Sequence, residues 1–230
     1  MNNKKAIILL SGGIDSATCL LIAKEQNYIP YCLTFYYKQK HGIEVKVAKK
    51  IAKKFKVKVH KIIKVDLANI AISALISDIE VPKGRDVSLI KEIPPTYVPA
   101  RNTIFLSYAL AFAETENAED IFIGVNNIDF SGYPDCRPAY IEKFEELANL
   151  ATKISTEGKF HIKIHAPLLN LSKAEIIKLA FKMGLDFSLT HSCYDPLPNG
   201  MSCGQCDSCL LRLKGFKEVG IIDPIPYAYK

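Results

Sequence analysis

The chain has 230 residues, of which 49% are hydrophobic, and its 30 Lys and Arg against 24 Asp and Glu give a formal net charge of +6. This length supports one substantial core and a small additional module, and no apolar run approaches the roughly 20 residues that a membrane span requires. The seven cysteines lack the spacing of a secreted disulfide scaffold, because three cluster and the others lie far apart. We expect a soluble protein of a reducing compartment, the cytoplasm.

The first predicted strand, residues 6–10, ends in a turn of small and polar residues before a predicted helix over 16–26. The turn reads Ser11-Gly12-Gly13-Ile14-Asp15-Ser16. Glycines let a ligand approach the backbone, and the first N–H groups of a helix are unpaired at the positive end of its dipole. This glycine turn (residues 11–16) therefore predicts a phosphate site, although an ordinary strand-turn-helix corner has a similar composition. No Gly-Lys-Ser/Thr follows it, so it is not a Walker A loop.

Strands and helices alternate along the rest of the chain. Further strand-like runs cover residues 30–36, 57–65, 120–125 and 161–166, and helical patterns cover 42–54, 67–77, 101–116, 138–154 and 172–183. This alternation predicts an α/β fold with an open parallel sheet of about five strands and helices on both faces. Ligands of such sheets bind beyond the carboxyl ends of the strands, where the glycine turn would meet the loops after Tyr36 and Gly124.

Basic residues divide into many lysines and few arginines. The lysines between Lys46 and Lys54 alternate with apolar residues at helical spacing, which is typical of the solvated side of an amphipathic helix. We therefore expect no direct nucleic-acid partner. The arginines are at positions 85, 101, 137 and 212. Each is a candidate for bidentate binding of phosphate or carboxylate.

Two loops flank the predicted helix over 101–116. Residues 78–100 contain four prolines and no clear periodicity, which predicts a long loop or a lid over the sheet edge. Arg101 and Asn102 follow at the helix start, where an arginine is unfavourable unless an anion shares the site. ATP phosphates would supply that anion, and a nearby carboxylate is the alternative. The loop over 124–138 is dense in polar groups and restrained by Gly and Pro, which favours a substrate pocket over an ordinary surface turn.

Four cysteines near the end of the chain have the spacing of metal ligands. Cys203, Cys206 and Cys209 follow one another at intervals of three, and Cys193 lies ten residues upstream of the first. Four thiolates close a tetrahedral site, which predicts structural zinc, with an iron–sulfur cluster as the alternative. The other cysteines are Cys19, Cys32 and Cys136. The first two lie in apolar runs and are expected to pack in the core, whereas the third lies in a polar loop and could line a site.

The character of the sequence changes after Gly184, where prolines, Gly200 and the cysteines replace the regular alternation. We therefore divide the chain into a nucleotide-binding α/β domain over residues 1–185 and a small zinc-binding appendage over residues 186–230 that packs on it.

The glycine turn resembles the SGGxDS signature of the PP-loop ATP pyrophosphatases, which cleave ATP between the α and β phosphates and adenylate an oxygen. Further segments extend a resemblance along nearly the whole chain. With the turn they read SGGIDSATCL, YYKQKHGIE, VPARNTIFLSYALAFAE, NNIDFSGYPDCRP, PLLNLSKAEIIKLA and CYDPLPNGMSCGQCDSC. On these segments the chain is similar to the 7-cyano-7-deazaguanine synthase family of queuosine biosynthesis. The family often has Arg where Lys40 stands.

The resemblance implies a ligase with an adenine-nucleotide α-hydrolase-like fold, acting as a homodimer. It implies ATP-dependent conversion of 7-carboxy-7-deazaguanine and ammonia to 7-cyano-7-deazaguanine through adenylated intermediates, with Mg²⁺ accompanying ATP. It also implies one zinc per chain, held by Cys193, Cys203, Cys206 and Cys209. The nearest alternative is a tRNA-thiolating PP-loop enzyme, which needs a reactive cysteine; a zinc-ribbon nucleic-acid-binding module is an alternative from another class.

The resemblance and the motifs together give a set of expected site residues. The expected ATP-binding residues are Leu10, Ser11, Gly12, Gly13, Ile14, Asp15, Ser16, Ala17, Thr18, Arg101 and Gly124. Among them, Asp15, Ser16 and Arg101 are expected to be catalytic through positioning and charge stabilisation, with Asp15 orienting magnesium or capping the helix. Tyr133, Asp135 and Arg137 are predicted to bind the carboxylate and the base edge of the deazaguanine.

Overall fold

The computed structural model describes residues 4–37, 42–87, 92–126, 128 and 133–229. Five parallel strands form the sheet: β1 (Lys5–Leu9), β2 (Ile29–Tyr36), β3 (Val59–Lys64), β4 (Asp120–Phe122) and β5 (Lys163–His165). The helices are α1 (Ile14–Glu25), α2 (Ile43–Lys54), α3 (Arg101–Glu116), α4 (Pro138–Ala151), α5 (Lys153–Thr156), α6 (Lys173–Lys182) and α7 (Asp207–Val219). This architecture confirms the predicted α/β class.

Helices cover both faces of the sheet. Side chains of a strand alternate between its two faces, so Ile7 and Leu9 of β1 pack with α3 and α4, whereas Ala6 and Ile8 pack with α1, α2 and α6. Burial on both faces explains why β1 and β2 read as nearly continuous apolar runs rather than as alternating patterns.

The strand order β3-β2-β1-β4-β5 places β1 in the middle of the sheet, next to β4. The chain moves outward from β1 to β2 and β3, and then returns to the other side of β1. Such a reversal leaves a crevice beyond the carboxyl ends of the two central strands. The glycine turn follows β1 and Gly124 follows β4, so both lie at this crevice.

The predicted helix over residues 67–77 is wrong, because this segment forms only isolated turns. Ser73 explains part of the difference. Its hydroxyl accepts a hydrogen bond from the Leu75 N–H at 3.3 Å, and the Ala74 N–H donates to the Pro95 carbonyl at 2.8 Å, so the backbone finds partners outside a helix. The predicted helix over 138–154 is divided into α4 and α5 at Thr152, whose backbone is extended.

The C-terminal module (residues 186–229) shares the core of the sheet. Phe216 of α7 packs in the same hydrophobic cluster as Ile8 and as Ile177 of α6. The division of the chain at residue 185 stays a prediction. Within the described ranges, no helix is long and apolar enough to span a lipid bilayer.

Candidate functional site

A cavity of about 230 Å³ lies at the crevice between β1 and β4. It is lined by the glycine turn, the ends of β2 and β4, the starts of α3 and α6, and the segment before the cysteine cluster. The predicted ATP- and substrate-site residues that line it are Leu10, Ser11, Gly13, Ile14, Asp15, Ser16, Arg101, Gly124 and Tyr133. Groups that are distant in sequence thus meet in one cavity.

Ser16 holds the glycine turn in shape. Its hydroxyl oxygen accepts hydrogen bonds from the backbone N–H groups of Ser11, at 3.1 Å, and Gly12, at 3.2 Å. The same hydroxyl lies 3.1 Å from the Gly13 carbonyl, to which it donates. The shape of the turn is therefore fixed by the protein itself, which preorganises a ligand site at low entropic cost.

The two glycines of the turn have different surroundings. Gly12 has a φ of +94°, and a Cβ there would lie 2.9 Å from Val47 Cγ1 and 3.0 Å from the Glu44 carbonyl oxygen. A Cβ on Gly13 would meet no heavy atom closer than 3.6 Å. Gly13 also begins α1 without any side-chain cap, so its lack of a side chain leaves the helix N-terminus open to the cavity.

Three predicted ATP-binding residues are not among those that line the cavity, namely Gly12, Ala17 and Thr18. Gly12 is buried against α2, and the Thr18 hydroxyl donates to the Ile14 carbonyl at 2.8 Å inside α1. Gly124 also lines the cavity, and a Cβ there would lie 3.0 Å from the Ser16 nitrogen. Because glycine has no Cβ, the chain after β4 can approach the start of α1 closely.

Lys173 is a cavity residue that the sequence analysis missed. It is the first residue of α6, only 9% exposed, and its Nζ lies 2.8 Å from both carboxylate oxygens of Asp15. A buried cation at the positive end of a helix is unfavourable without anions nearby. The sequence signal for Lys173, a cation at a helix start, is weak, because its partner Asp15 lies 158 positions away and no short motif joins the two.

Arg101 lies in another part of the cavity lining, at the start of α3. Ala100 before it has a φ of +54°, a conformation uncommon for alanine, and its N–H donates to the Tyr97 hydroxyl at 3.1 Å. Burial acts to lower the pKa of Arg101, but the neighbouring Tyr37 and Tyr133 outweigh it and raise the pKa above the ordinary value. Arg101 is therefore a permanent cation in the cavity.

The three residues predicted to bind the deazaguanine lie in different surroundings. Tyr133 lines the cavity, with its hydroxyl 2.9 Å from Thr96 Oγ1. The Asp135 carboxylate accepts a hydrogen bond from the Asn102 N–H at 3.0 Å, and so caps the N-terminus of α3. Arg137 is exposed at the start of α4 and is not among the described residues that line the cavity.

Two other arginines bind carboxylates in and around the C-terminal module. Arg212 is 1% exposed and forms a bidentate pair with Asp223, at 2.7 Å for Nε–Oδ2 and 2.9 Å for Nη2–Oδ1. Arg85 pairs with Asp207, the first residue of α7, and so holds the long loop against this module. Arg101 differs from these two arginines because it lines the cavity and none of the ion pairs found among the described residues includes it.

The four cysteines of the predicted metal site converge, as the spacing indicated. Their Sγ atoms all lie within 4.8 Å of one another, and two of the distances are 4.0 Å, Cys193–Cys206 and Cys203–Cys209. A tetrahedral ion with metal–sulfur bonds of about 2.3 Å holds its sulfurs about 3.8 Å apart. The cluster therefore fits one metal ion without rearrangement.

Backbone N–H groups point at the sulfur atoms of this cluster. The Cys203 N–H lies 3.2 Å from Cys193 Sγ, and the Cys206 N–H lies 3.3 Å from Cys203 Sγ. Donors of this kind stabilise thiolates, which is the form that binds a metal.

Comparison with known proteins shows the family to which the chain belongs. The family model described as "Queuosine biosynthesis protein QueC" matches residues 5–220. The chain belongs to this family. The 7-cyano-7-deazaguanine synthase of Syntrophotalea carbinolica is 57% identical over 226 residues, which cover 98% of this chain and 97% of the relative. That of Citrifermentans bemidjiense is 58% identical over 224 residues, covering 97% and 98% of the two chains.

Solved structures extend the comparison of the fold. A Methanocaldococcus jannaschii protein described as a predicted subunit of tRNA methyltransferase aligns with a TM-score of 0.50, covering 97% of this chain and 92% of its own. The sequence identity is 17%, so this similarity concerns the fold alone.

Proposed function

We propose that the chain is a ligase that converts 7-carboxy-7-deazaguanine and ammonia to 7-cyano-7-deazaguanine with ATP, through adenylated intermediates. One observation carries the assignment of the site. The chain belongs to this family, and one cavity is lined by the glycine turn, by the buried Lys173 of α6 and by the cationic Arg101. The groups proposed to bind the phosphates and the carboxylate thus open into one cavity, which suits a reaction between one pair of substrates.

A carboxylate does not react with ammonia until one of its oxygens becomes a good leaving group. That oxygen attacks the α phosphorus of ATP, pyrophosphate leaves, and ammonia then displaces AMP to give the amide. The amide oxygen attacks a second ATP in the same way, and loss of AMP and of both amide protons leaves the nitrile. The protein's contribution is to position the reactants and stabilise the charges.

ATP would bind with its phosphates at the glycine turn. The open N-terminus of α1 at Gly13 offers N–H groups, and Lys173 offers the positive charge that a Walker lysine supplies elsewhere. The ion pair with Asp15 holds the Lys173 ammonium at this end of the cavity. Mg²⁺ would enter with ATP, and a contact with the Asp15 carboxylate is part of the proposal.

We assign the carboxylate of the deazaguanine to Arg101 rather than to Arg137, which is exposed. A planar guanidinium binds a carboxylate with two parallel hydrogen bonds. Phe35 and Phe105 line the same cavity, with their rings stacked 4.0 Å apart. Their apolar surface suits the flat bicyclic base.

Zinc is the metal that we propose for the cysteine cluster, one ion per chain. Four cysteine ligands fill a tetrahedral site and leave no position open for a substrate, so its role is structural. A homodimer, a cytoplasmic location and the absence of a direct nucleic-acid partner stay expectations from the sequence.

The thiolating alternative requires a reactive thiol in the cavity. Cys136 lines the cavity, but burial, and next the charge of Asp135, raise its pKa to about 12. A thiol with this pKa is almost fully protonated at neutral pH and is a poor nucleophile. Ligase chemistry is therefore favoured over sulfur transfer.

The test is to incubate the protein with ATP, ammonium and 7-carboxy-7-deazaguanine and to determine the products by mass spectrometry. We expect the amide and then the nitrile, together with AMP and pyrophosphate. Formation of ADP as the sole nucleotide product, or no conversion of the acid by folded, metal-loaded protein, would contradict the proposal.

A further inference from the structure

Helices α6 and α7 pack closely against each other at Gly215. A Cβ on this residue would lie 2.8 Å from Lys173 Cγ, 3.1 Å from Lys173 Cβ and 2.9 Å from Ile177 Cδ1. Gly215 lies inside α7, where glycine is a poor helix former compared with alanine. Its presence is explained by the space that the Lys173 side chain occupies.

Lys173 connects this contact to the cavity. Its stem lies against Gly215, and its ammonium lies 2.8 Å from both oxygens of Asp15 in the glycine turn. A displacement of the stem therefore moves the charge at the phosphate end of the cavity. The side chain is buried, so it has little room to compensate.

Contacts at the start of α7 prevent this helix from moving away. The Ser208 hydroxyl donates to the Ser192 carbonyl at 2.6 Å, and the neighbouring His191 N–H donates to the Gly12 carbonyl at 3.0 Å. These bonds tie the start of α7 to the glycine turn through one short segment. Extra volume at Gly215 is thus expected to displace Lys173 rather than α7.

We propose that Gly215 is a positioning residue through which α7 sets the place of the Lys173 ammonium. The metal-binding C-terminal module would in this way align the phosphate end of the cavity, in addition to stabilising the fold. The inference rests on the proposed function only in taking ATP as the ligand of that end.

The test is a double-mutant cycle of Gly215→Ala and Lys173→Ala in the metal-loaded protein, read by the Kd for ATP in calorimetry and by Tm. We expect Gly215→Ala to weaken ATP binding roughly tenfold, because a displacement of about 1 Å suffices for such losses. In the Lys173→Ala background the same change should have no further effect on the Kd. Lys214→Ala, at the exposed neighbouring position, is the control and should bind ATP like the wild type.

Wild-type ATP affinity in Gly215→Ala, or equal losses from this change in both backgrounds, would overturn the inference. If Gly215→Ala does not fold, the double variant should fold, because Lys173→Ala removes the Cγ contact at 2.8 Å and leaves only the contacts with Ile177 Cδ1 and the Cβ of residue 173. A double variant that also fails to fold would overturn the inference. Failure of the wild type to form the nitrile would contradict the proposed function alone, since ATP binding is measured without the acid.

Discussion

Gly12 and Gly13 are neighbours in the glycine turn, but a side chain would have different consequences at each. At Gly12 the backbone has a positive φ and a Cβ would collide with α2, so this glycine is required by the fold. At Gly13 a Cβ would be accommodated by the fold and would project where no side chain caps α1. The two positions therefore separate stability from ligand binding.

We expect Gly12→Ala to lower the free energy of unfolding by about 1–3 kcal/mol, through backbone strain and the collision with α2. Gly13→Ala should leave Tm close to that of the wild type but weaken ATP binding by roughly tenfold or more, because its methyl group displaces the phosphates. Thermal unfolding and ATP calorimetry on both variants check this. Unchanged ATP affinity in a folded Gly13→Ala variant would show that the phosphates do not bind at the glycine turn.

Arg101 and Arg137 form a second matched pair, since the same conservative change can be made at both. Arg101→Lys keeps the charge but loses the bidentate geometry, so kcat/KM for the acid should fall by about 1–3 kcal/mol in free-energy terms. Arg137→Lys should change it little, because the side chain is exposed. Steady-state kinetics with the acid varied at saturating ATP measure both. The reverse ranking would return the carboxylate to the loop around Arg137.

Residues with a local signature could be predicted from the sequence, and residues defined by distant partners could not. The glycine turn and the metal-ligand spacing of Cys203, Cys206 and Cys209 each lie within a short segment, and both appear in the structure as expected. Lys173 was missed because its partner Asp15 is 158 positions away. The role of Asp135 in substrate binding stays a prediction, but the sequence did not indicate that its carboxylate also caps a helix that begins 34 positions earlier, at Arg101.

Helices and strands were predictable where a periodic apolar pattern agreed with packing on both sides of the sheet. The segment over 67–77 has apolar residues at plausible spacing, yet Ile70 and Ile72 are 78% and 77% exposed. Instead, the Ala74 N–H and the Ser73 hydroxyl of this segment donate hydrogen bonds to the carbonyl of Pro95, which lies in the long loop over 78–100. Tertiary contacts of this kind override local propensity and leave no periodic signal.

Helix α7 connects the cysteine cluster to parts of the chain outside the C-terminal module. It carries Cys209, begins at Asp207, which pairs with Arg85 of the long loop, and packs on α6 at Gly215. If the cysteine cluster holds a metal ion as proposed, loss of that ion should therefore loosen the long loop as well as the cluster. Binding energy of a structural metal is folding energy.

We expect metal analysis to find about one zinc per chain. We expect Cys206→Ser to lower Tm but to leave turnover nearly unchanged at temperatures where the variant is folded, because the site has no open coordination position. Cys32→Ser, a substitution of a buried cysteine outside the cluster, is the control for the loss of a buried thiol. Iron together with sulfide, or folded protein without any metal, would contradict this assignment.

In the molecule as a whole, the order of the strands determines where the cavity lies. The reversal between β1 and β4 opens the crevice, and segments from both halves of the chain supply its lining. The alternation of elements predicted this location, but the side chains that meet there depend on loop paths that the sequence pattern does not encode. The proposed function requires that the cavity bring a substrate oxygen to the α phosphorus of ATP.

The most direct test of this claim follows the oxygen atoms. The acid is supplied with heavy oxygen in both carboxylate positions, and the AMP released during conversion to the nitrile is analysed by mass spectrometry. If each oxygen leaves as part of an adenylate, every AMP formed in the two steps carries one heavy oxygen. AMP with only ordinary oxygen would show that ATP is cleaved by water or activates another group, and would contradict adenylation of the substrate.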